Sequence, residues 1–253
     1  MIRFARTARR STSRDRRLKA TVAMTDRASW MVVDPSAGSG GGPSLADYRV
    51  FVGPPDKYDV VAALQFTVLT QLGLRERHRL LDVGCGSLRA GRLFMPYLSP
   101  GRYFGIEPEQ WLVEEGIKHE LGQDLIRLKR PVFSNDASFT LTAFGQSFDF
   151  VLAHSVFSHA AESQIRHCLA EAEHVLTTEG TLVATFFEGR TSYAGTGWQY
   201  PDPVAYRWDD LARFVADAGL VVQRLRYEHP NHQAWVAIVR PGHESQIPTS
   251  LLA

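Results

Sequence analysis

Apolar residues in this chain come in two alternating forms, short runs and spaced stripes. Val60, Leu64, Val68 and Leu72 recur every four positions, which predicts a helix over 58–72. The run at 79–83 predicts a strand, and a helix over 90–97 follows it. Ser99-Pro100-Gly101 is a turn signal ahead of a second strand at 103–106. A helix over about 110–121, a weak third strand at 131–133 and a stronger fourth at 148–153 continue the series. Ile165, Leu169, Ala172 and Leu176 share one face of a helix over 161–176. Glu179-Gly180 reads as the turn into a fifth strand at 181–187. A helix over 208–218 closes on Gly219, and strands at 220–226 and 233–239 end the pattern.

Strands and helices therefore alternate until the final pair, which has no helix between. Alternation predicts an α/β protein with a parallel sheet and right-handed crossovers. The short final connection predicts that the last strand pairs antiparallel with its predecessor. Between the fifth strand and the helix at 208–218 lies a long segment rich in aromatic residues and glycine, including Tyr193, Trp198, Tyr200 and Tyr206. A long loop in a compact domain is usually functional or disordered, and disordered loops lack this many aromatics. We read it as a lid over a substrate, with Tyr58 and Gln65 of the first helix closing the other side.

Composition changes this picture at the ends only. The chain has 253 residues and a net charge of +1, enough for one α/β domain with an extension. Balanced charge gives no reason to expect a nucleic-acid or anionic-membrane partner. No apolar run approaches the roughly 18–20 residues that span a bilayer. Cys85 and Cys168 have no metal-ligand or CxxC spacing, and two cysteines make no disulfide framework, so a reducing, cytoplasmic location is expected. Residues 1–44 read as a separate extension: Arg3, Arg6, Arg9, Arg10, Arg14, Arg16, Arg17 and Lys19 face only Asp15, and a Gly40-Gly41-Gly42 linker follows. This extension reads as a disordered or dispensable tail; a transit peptide, a basic arm, and a start at Met24 are the alternatives. Residues 45–240 form the expected domain and 241–253 a tail.

The candidate chemistry sits at strand ends, where ligands bind in open α/β sheets. Leu80-Leu81-Asp82-Val83-Gly84-Cys85-Gly86-Ser87 is an apolar run that breaks into a Gly-x-Gly turn, with an acid two residues before the first glycine. Such a turn lets a ligand approach the main chain. The carboxylate at Asp82 argues against a pyrophosphate and hence against a dinucleotide. After the second strand come Glu107 and Pro108, and a carboxylate there suits a ribose diol. After the third come Asn135 and Asp136, and after the fourth His154-Ser155-Val156-Phe157-Ser158-His159. The loop before the last strand holds His229 and His232. Four histidines without a ligand spacing do not make a metal site.

Asp-Val-Gly-Cys-Gly at 82–86 resembles the first motif of the class I S-adenosylmethionine (SAM)-dependent methyltransferases, and the resemblance runs from about Tyr58 to Val239. Leu88 stands where that family often has a third glycine. The resemblance implies a Rossmann-like seven-stranded, mostly parallel sheet with its last strand antiparallel and helices on both faces. It implies SAM as cofactor. Asp82, Gly84, Cys85, Gly86 and Ser87 then hold the methionine end, Glu107 with Pro108 meets the ribose, and Asp136, or else Asn135, meets adenine. Arg89 either pairs with the SAM carboxylate or points to water. His154 and Ser155 line the methyl-transfer site, with His154 or His159 as general base. Tyr58, Gln65, Trp198, Tyr200, His229 and His232 are expected at the acceptor. The expected activity is methyl transfer to an oxygen or nitrogen of a small molecule. An RNA or protein methyltransferase and a non-catalytic SAM-binding regulator are the alternatives.

Overall fold

The central strands of this protein are buried on both faces, which is why the sequence shows them as continuous apolar runs rather than as alternation. In the computed structural model, which describes residues 47–253, the strands are β1 Leu80–Val83, β2 Tyr103–Ile106, β3 Val132–Ser134, β4 Phe148–Ala153, β5 Leu176–Glu188, β6 Ala205–Tyr206, β7 Val221–Leu225 and β8 Ala234–Val239. The main sheet has the order β3-β2-β1-β4-β5-β8-β7. Strands β1 to β5 are mutually parallel, and β8 runs antiparallel between β5 and β7. The order reverses between β1 and β4, so a crevice opens at their carboxyl ends.

Helices cover both faces. They are α1 Tyr48–Phe51, α2 Tyr58–Gln71, α3 Gly91–Tyr97, α4 Gln110–Gly116, α5 Gln123–Lys129, α6 Glu162–Val175 and α7 Trp208–Asp217. Successive strand residues serve opposite cores. Leu81, Val83, Val151 and Ala153 pack with Ile165, Leu169, Phe214 and Val215 of α6 and α7. Leu80, Tyr103, Phe150 and Leu152 pack with Val68, Leu69, Phe94 and Met95 of α2 and α3. Strand alternation places Asp82 on the face of Leu80, toward α2 and α3.

The structure departs from expectation in five places. Helix α2 buries Tyr58, Val61, Gln65, Val68 and Leu69, while Val60 is exposed. Its apolar residues go nearly all the way round, so packing rather than the four-residue stripe selects the inner face. The helix at 110–121 changes to a π-helical turn at Ile117–Leu121, and α5 lies beyond Gly122 where no element was expected. Glu179-Gly180 is not a turn between elements: β5 begins at Leu176, and its register against β4 jumps from Phe148↔Leu176 to Phe150↔Thr181. The extra residues form a bulge of a kind that is absorbed within one strand. Within the long aromatic segment, β6 pairs with the end of β5. Finally, 249–253 is not a loose tail: Arg226 N–H donates to Leu251 O, Ala253 N–H donates to Arg224 O, and Leu252 bridges Leu225. The last residues thus cover the edge of β7.

Among the described residues no helix is long and apolar enough to cross a membrane.

Candidate active site

The turn after β1 is the floor of the crevice. Gly84 and Gly86 have φ of +70° and +56°, a region glycine enters at little cost. A Cβ on Gly84 would lie 2.9 Å from Val156 Cγ2, and one on Gly86 2.8 Å from Val52 Cγ1. The N–H groups of Gly84 and Cys85 both donate to Ile106 O, at 2.8 and 3.0 Å. Leu88, fully buried, has φ of +58°. The left-handed conformation that a third glycine would supply is therefore kept, and a leucine carries the strain. Ser87 is fully buried behind the turn, where its hydroxyl lies 3.0 Å from Tyr58 Oη. Tyr58 is itself 1% exposed, and the guanidinium carbons of Arg49 and Arg92 lie 4.8 and 5.3 Å from its ring centroid. Tyr58 thus braces the turn from behind; it does not face an acceptor, which corrects the sequence expectation.

Two carboxylates meet this turn. Glu107 Oε2 accepts the Gly86 N–H at 2.9 Å, and Oε1 accepts the Glu109 N–H at 2.9 Å. A carboxylate has about four acceptor positions, so each oxygen keeps one for a further donor. Burial raises its affinity for protons. Pro108 lies exposed just beyond it. Asp82 is buried, accepts the Tyr103 hydroxyl at 2.7 Å, and is pushed up to about 7 by burial. Arg89 does not point to water: it is 9% exposed, donates from Nη1 to Val52 O at 2.8 Å, and its Nε has no hydrogen-bond partner. Burial lowers its pKa to about 10. Gln65, Asp82, Cys85, Arg89 and His154 line a cavity of about 30 Å³ against the glycine turn. Gln65 therefore belongs to this end of the crevice.

His154 follows β4 directly. Its Nδ1 lies 3.3 Å from Arg89 Nη2 and its Nε2 2.8 Å from His229 Nε2. Trp235 packs beside both rings, with centroids 5.3 and 5.7 Å away. Burial holds His154 well below the ordinary histidine range and His229 down at about 3. With both ring nitrogens engaged, His154 has no lone pair left for an acceptor, and the expectation of a base there is corrected. Ser155, at φ +58°, is held by its neighbours: its N–H donates to Thr185 Oγ1 and its Oγ accepts from Gln233 Nε2, each at 2.8 Å. That triangle fixes the backbone that aims His154.

His159 sits one turn further on, 5% exposed, with Nδ1 3.2 Å from Asp202 O. A carbonyl can only accept, so Nδ1 carries the proton and Nε2 the lone pair. Burial lowers its pKa as well. Trp198 and Tyr200 lie against its ring, with centroids 5.7 and 5.2 Å away. Tyr200 also stacks on Phe51 at 4.8 Å and donates to Phe51 O. The aromatic segment is thereby joined to the strap 47–57, whose Val52 rests on Gly86. His232 is exposed at φ +59°, turning the β7–β8 loop rather than joining the cluster. Asp136 gives both oxygens to its own loop, accepting from Ser138 N–H, Thr140 N–H and Thr140 Oγ1. Asn135 beside it is exposed.

The residues present fit a cofactor carrying a carboxylate, an ammonium and a diol. The orphaned Arg89 Nε lacks an acceptor, Asp82 forms no ion pair within hydrogen-bond distance among the described residues although Arg89 lines the same cavity, and Glu107 keeps acceptor positions at the strand end. Sequence reasoning missed Val52, Thr185, Gln233 and Trp235. All lie in apolar or strand contexts whose signal is packing, and only the fold brings them to the crevice.

Residues 81–182 match the family model described as a methyltransferase domain. The fold is shared with solved structures of low identity. A magnesium protoporphyrin IX methyltransferase from Synechocystis PCC 6803 with bound SAM is 15% identical, with a TM-score of 0.53 over 80% of this chain and 86% of that one. A SAM-dependent methyltransferase from Clostridium acetobutylicum ATCC 824 is 11% identical, with a TM-score of 0.56 over 77% and 99%. A glycopeptide N-methyltransferase complexed with SAM is 12% identical, with a TM-score of 0.55 over 72% and 94%.

Proposed function

We propose that this chain is a class I SAM-dependent methyltransferase, a reading that its fold and its matched domain support, and that it moves the methyl group of SAM onto an oxygen or nitrogen of a small-molecule acceptor. The observation that carries this reading is the buried Asp82 carboxylate lining the cavity against the glycine turn, where a dinucleotide would need to place a pyrophosphate. A cofactor with a ribose and a cation meets no such repulsion. Glu107, bound to the Gly86 N–H at 2.9 Å, adds a diol-binding group that a dinucleotide site would share. The neighbours' named acceptors, a porphyrin and a glycopeptide, support an acceptor of the small-molecule class.

Bound there, SAM supplies a methyl group activated by a sulfonium. The chain's own residues do the rest. Gly84, Cys85 and Gly86 offer main chain, Asp82 faces the ammonium, and the uncommitted Nε of Arg89 faces the carboxylate. Glu107 takes the ribose hydroxyls. Asp136, whose Oδ1 keeps one acceptor position beyond the Thr140 contact, or else the exposed Asn135, takes the adenine contact. His159 Nε2 accepts the proton that an acceptor hydroxyl or amine gives up, with Asp202 O holding the ring in the right tautomer. Trp198 and Tyr200 wall the acceptor side and keep water away, so that placement supplies much of the rate.

Calorimetric titration of the full chain with SAM and with NAD tests the assignment. SAM is expected to bind, and Asp82→Ala and Glu107→Ala each to weaken it about tenfold or more. NAD binding in place of SAM would overturn it.

A further inference from the structure

The buried row Arg89–His154–His229–Asn231 cannot satisfy all of its contacts at once. Its three contacts are Arg89 Nη2 to His154 Nδ1 at 3.3 Å, His154 Nε2 to His229 Nε2 at 2.8 Å, and Asn231 N–H to His229 Nδ1 at 3.0 Å. Both ends are obligate donors, a guanidinium and a backbone amide. Burial keeps both imidazoles neutral, so each carries one proton. If both Nδ1 atoms accept, both Nε2 atoms carry hydrogen and collide. If one Nε2 accepts from the other, one Nδ1–H must face a donor. One contact is always wrong.

Which contact fails depends on Arg89. A charged donor makes the stronger hydrogen bond, so the free protein satisfies Arg89 first. His154 then carries its proton on Nε2 and donates to His229 Nε2. His229 carries its proton on Nδ1, against the Asn231 N–H. Arg89 also has its Nε without a partner beside the cavity that it lines with Asp82 and Gln65. A carboxylate placed there takes the guanidinium's hydrogen bonds and removes the donor from His154 Nδ1.

We infer that His154 and His229 form a tautomer-switching pair, set by a carboxylate on Arg89, that carries the arrival of the cofactor's amino-acid tail to the loop between β7 and β8. The inference rests on the SAM reading above. With the carboxylate bound, His154 holds its proton on Nδ1 and can donate to the same carboxylate. His154 Nε2 accepts from His229 Nε2–H, and His229 Nδ1 accepts the Asn231 N–H. Every contact is then satisfied. One proton crosses from His154 Nε2 to His229 Nε2, one passes from His229 Nδ1 to solvent water, and one is returned by solvent water to His154 Nδ1. The pair stays neutral throughout. His229 touches no substrate in this scheme and is a positioning residue.

Long-range proton–nitrogen NMR on the full chain with ¹⁵N-histidine reads the tautomers, with His154→Gln and His229→Gln spectra assigning the signals. Two ligands are compared: S-adenosylhomocysteine, and 5′-methylthioadenosine, which keeps the nucleoside thioether but lacks the amino-acid tail. S-adenosylhomocysteine is expected to turn His154 Nδ1 from a pyridine-type to a pyrrole-type nitrogen and His229 Nδ1 the other way. Methylthioadenosine is expected to change neither. His229→Ala is expected to weaken S-adenosylhomocysteine about tenfold and leave methylthioadenosine unchanged, whereas a merely structural loss would weaken both. Binding of S-adenosylhomocysteine with unchanged tautomers, or the same switch with methylthioadenosine, overturns the inference alone. Failure of both ligands to bind overturns the SAM reading and the inference with it.

Discussion

Single residues in this crevice carry conflicting demands. Leu88 keeps a left-handed backbone at a cost of about 1–2 kcal/mol, and its buried side chain offsets that cost by packing between α3 and α4, close to Gly91 and Gly116. Asp82 is a second case. Burial pushes it up to about 7 against an ordinary value of 3.8. A group raised on folding stabilises the free fold below the ordinary carboxylate range, and that contribution is lost as the pH rises through about 7. A bound ammonium favours the charged form and reverses the sign. SAM affinity is therefore expected to fall about tenfold per pH unit below about 7, and Asp82→Asn to bind weakly with little of this dependence; titration calorimetry from pH 5 to 8 checks both. At this scale the sequence displayed Asp82 and Glu107 openly, because a carboxylate after an apolar run is a visible anomaly. It could not display which histidine keeps a lone pair, since that depends on the carbonyl of Asp202 and on Arg89, both remote in sequence.

At the scale of elements, the strap 47–57 packs over the glycine turn. It contains α1 and the turn at Gly53, whose φ is +127°. Arg49 donates to Glu120 of the π-helical turn, and Tyr48 shares that carboxylate. Val52 lies over Gly86 and, with Arg89 and His154, lines the cavity of about 30 Å³ at the turn. The strap therefore borders the space that the cofactor's tail would enter. Phe51 stacks on Tyr200, so the strap and the aromatic segment are tied at one point. Tyr200→Ala is expected to raise the association rate of SAM several-fold, with a smaller change in its equilibrium affinity. Stopped-flow tryptophan fluorescence checks it, because Trp111 packs edge-on to Phe51 at 5.4 Å. An unchanged association rate would remove the strap from the entry path. Helices and strands of this domain were mostly legible from period and punctuation, as at β2 and β4. The strap's position was not, because nothing in 47–57 names the glycine turn more than 30 residues away.

Over the whole molecule, the sheet's two edges are handled differently. The edge at β3 leaves Val132 exposed, near the exposed Leu128 of α5. The edge at β7 is covered by the returning chain, with Leu251 and Leu252 packed against the core beneath α2. Deleting 250–253 is expected to cost about 2 kcal/mol through lost apolar burial, a fall in Tm of roughly 4–8 °C, and to expose an edge that promotes association. Scanning calorimetry and size-exclusion chromatography check the two effects, and an unchanged Tm would make the covering strand idle. The sequence by itself determined the alternation of strands and helices, the glycine turn after β1 and the acids at the next strand ends. These are local signals, written in runs and periods that a chain carries wherever it folds. Tertiary structure alone decided that β8 sits between β5 and β7, that Tyr58 braces the turn, that His154 is locked and His159 is not, and that Val52 closes the floor. Each of those depends on groups brought together by long-range packing, and the opening turn thus fixes where a cofactor goes while the fold fixes what surrounds it.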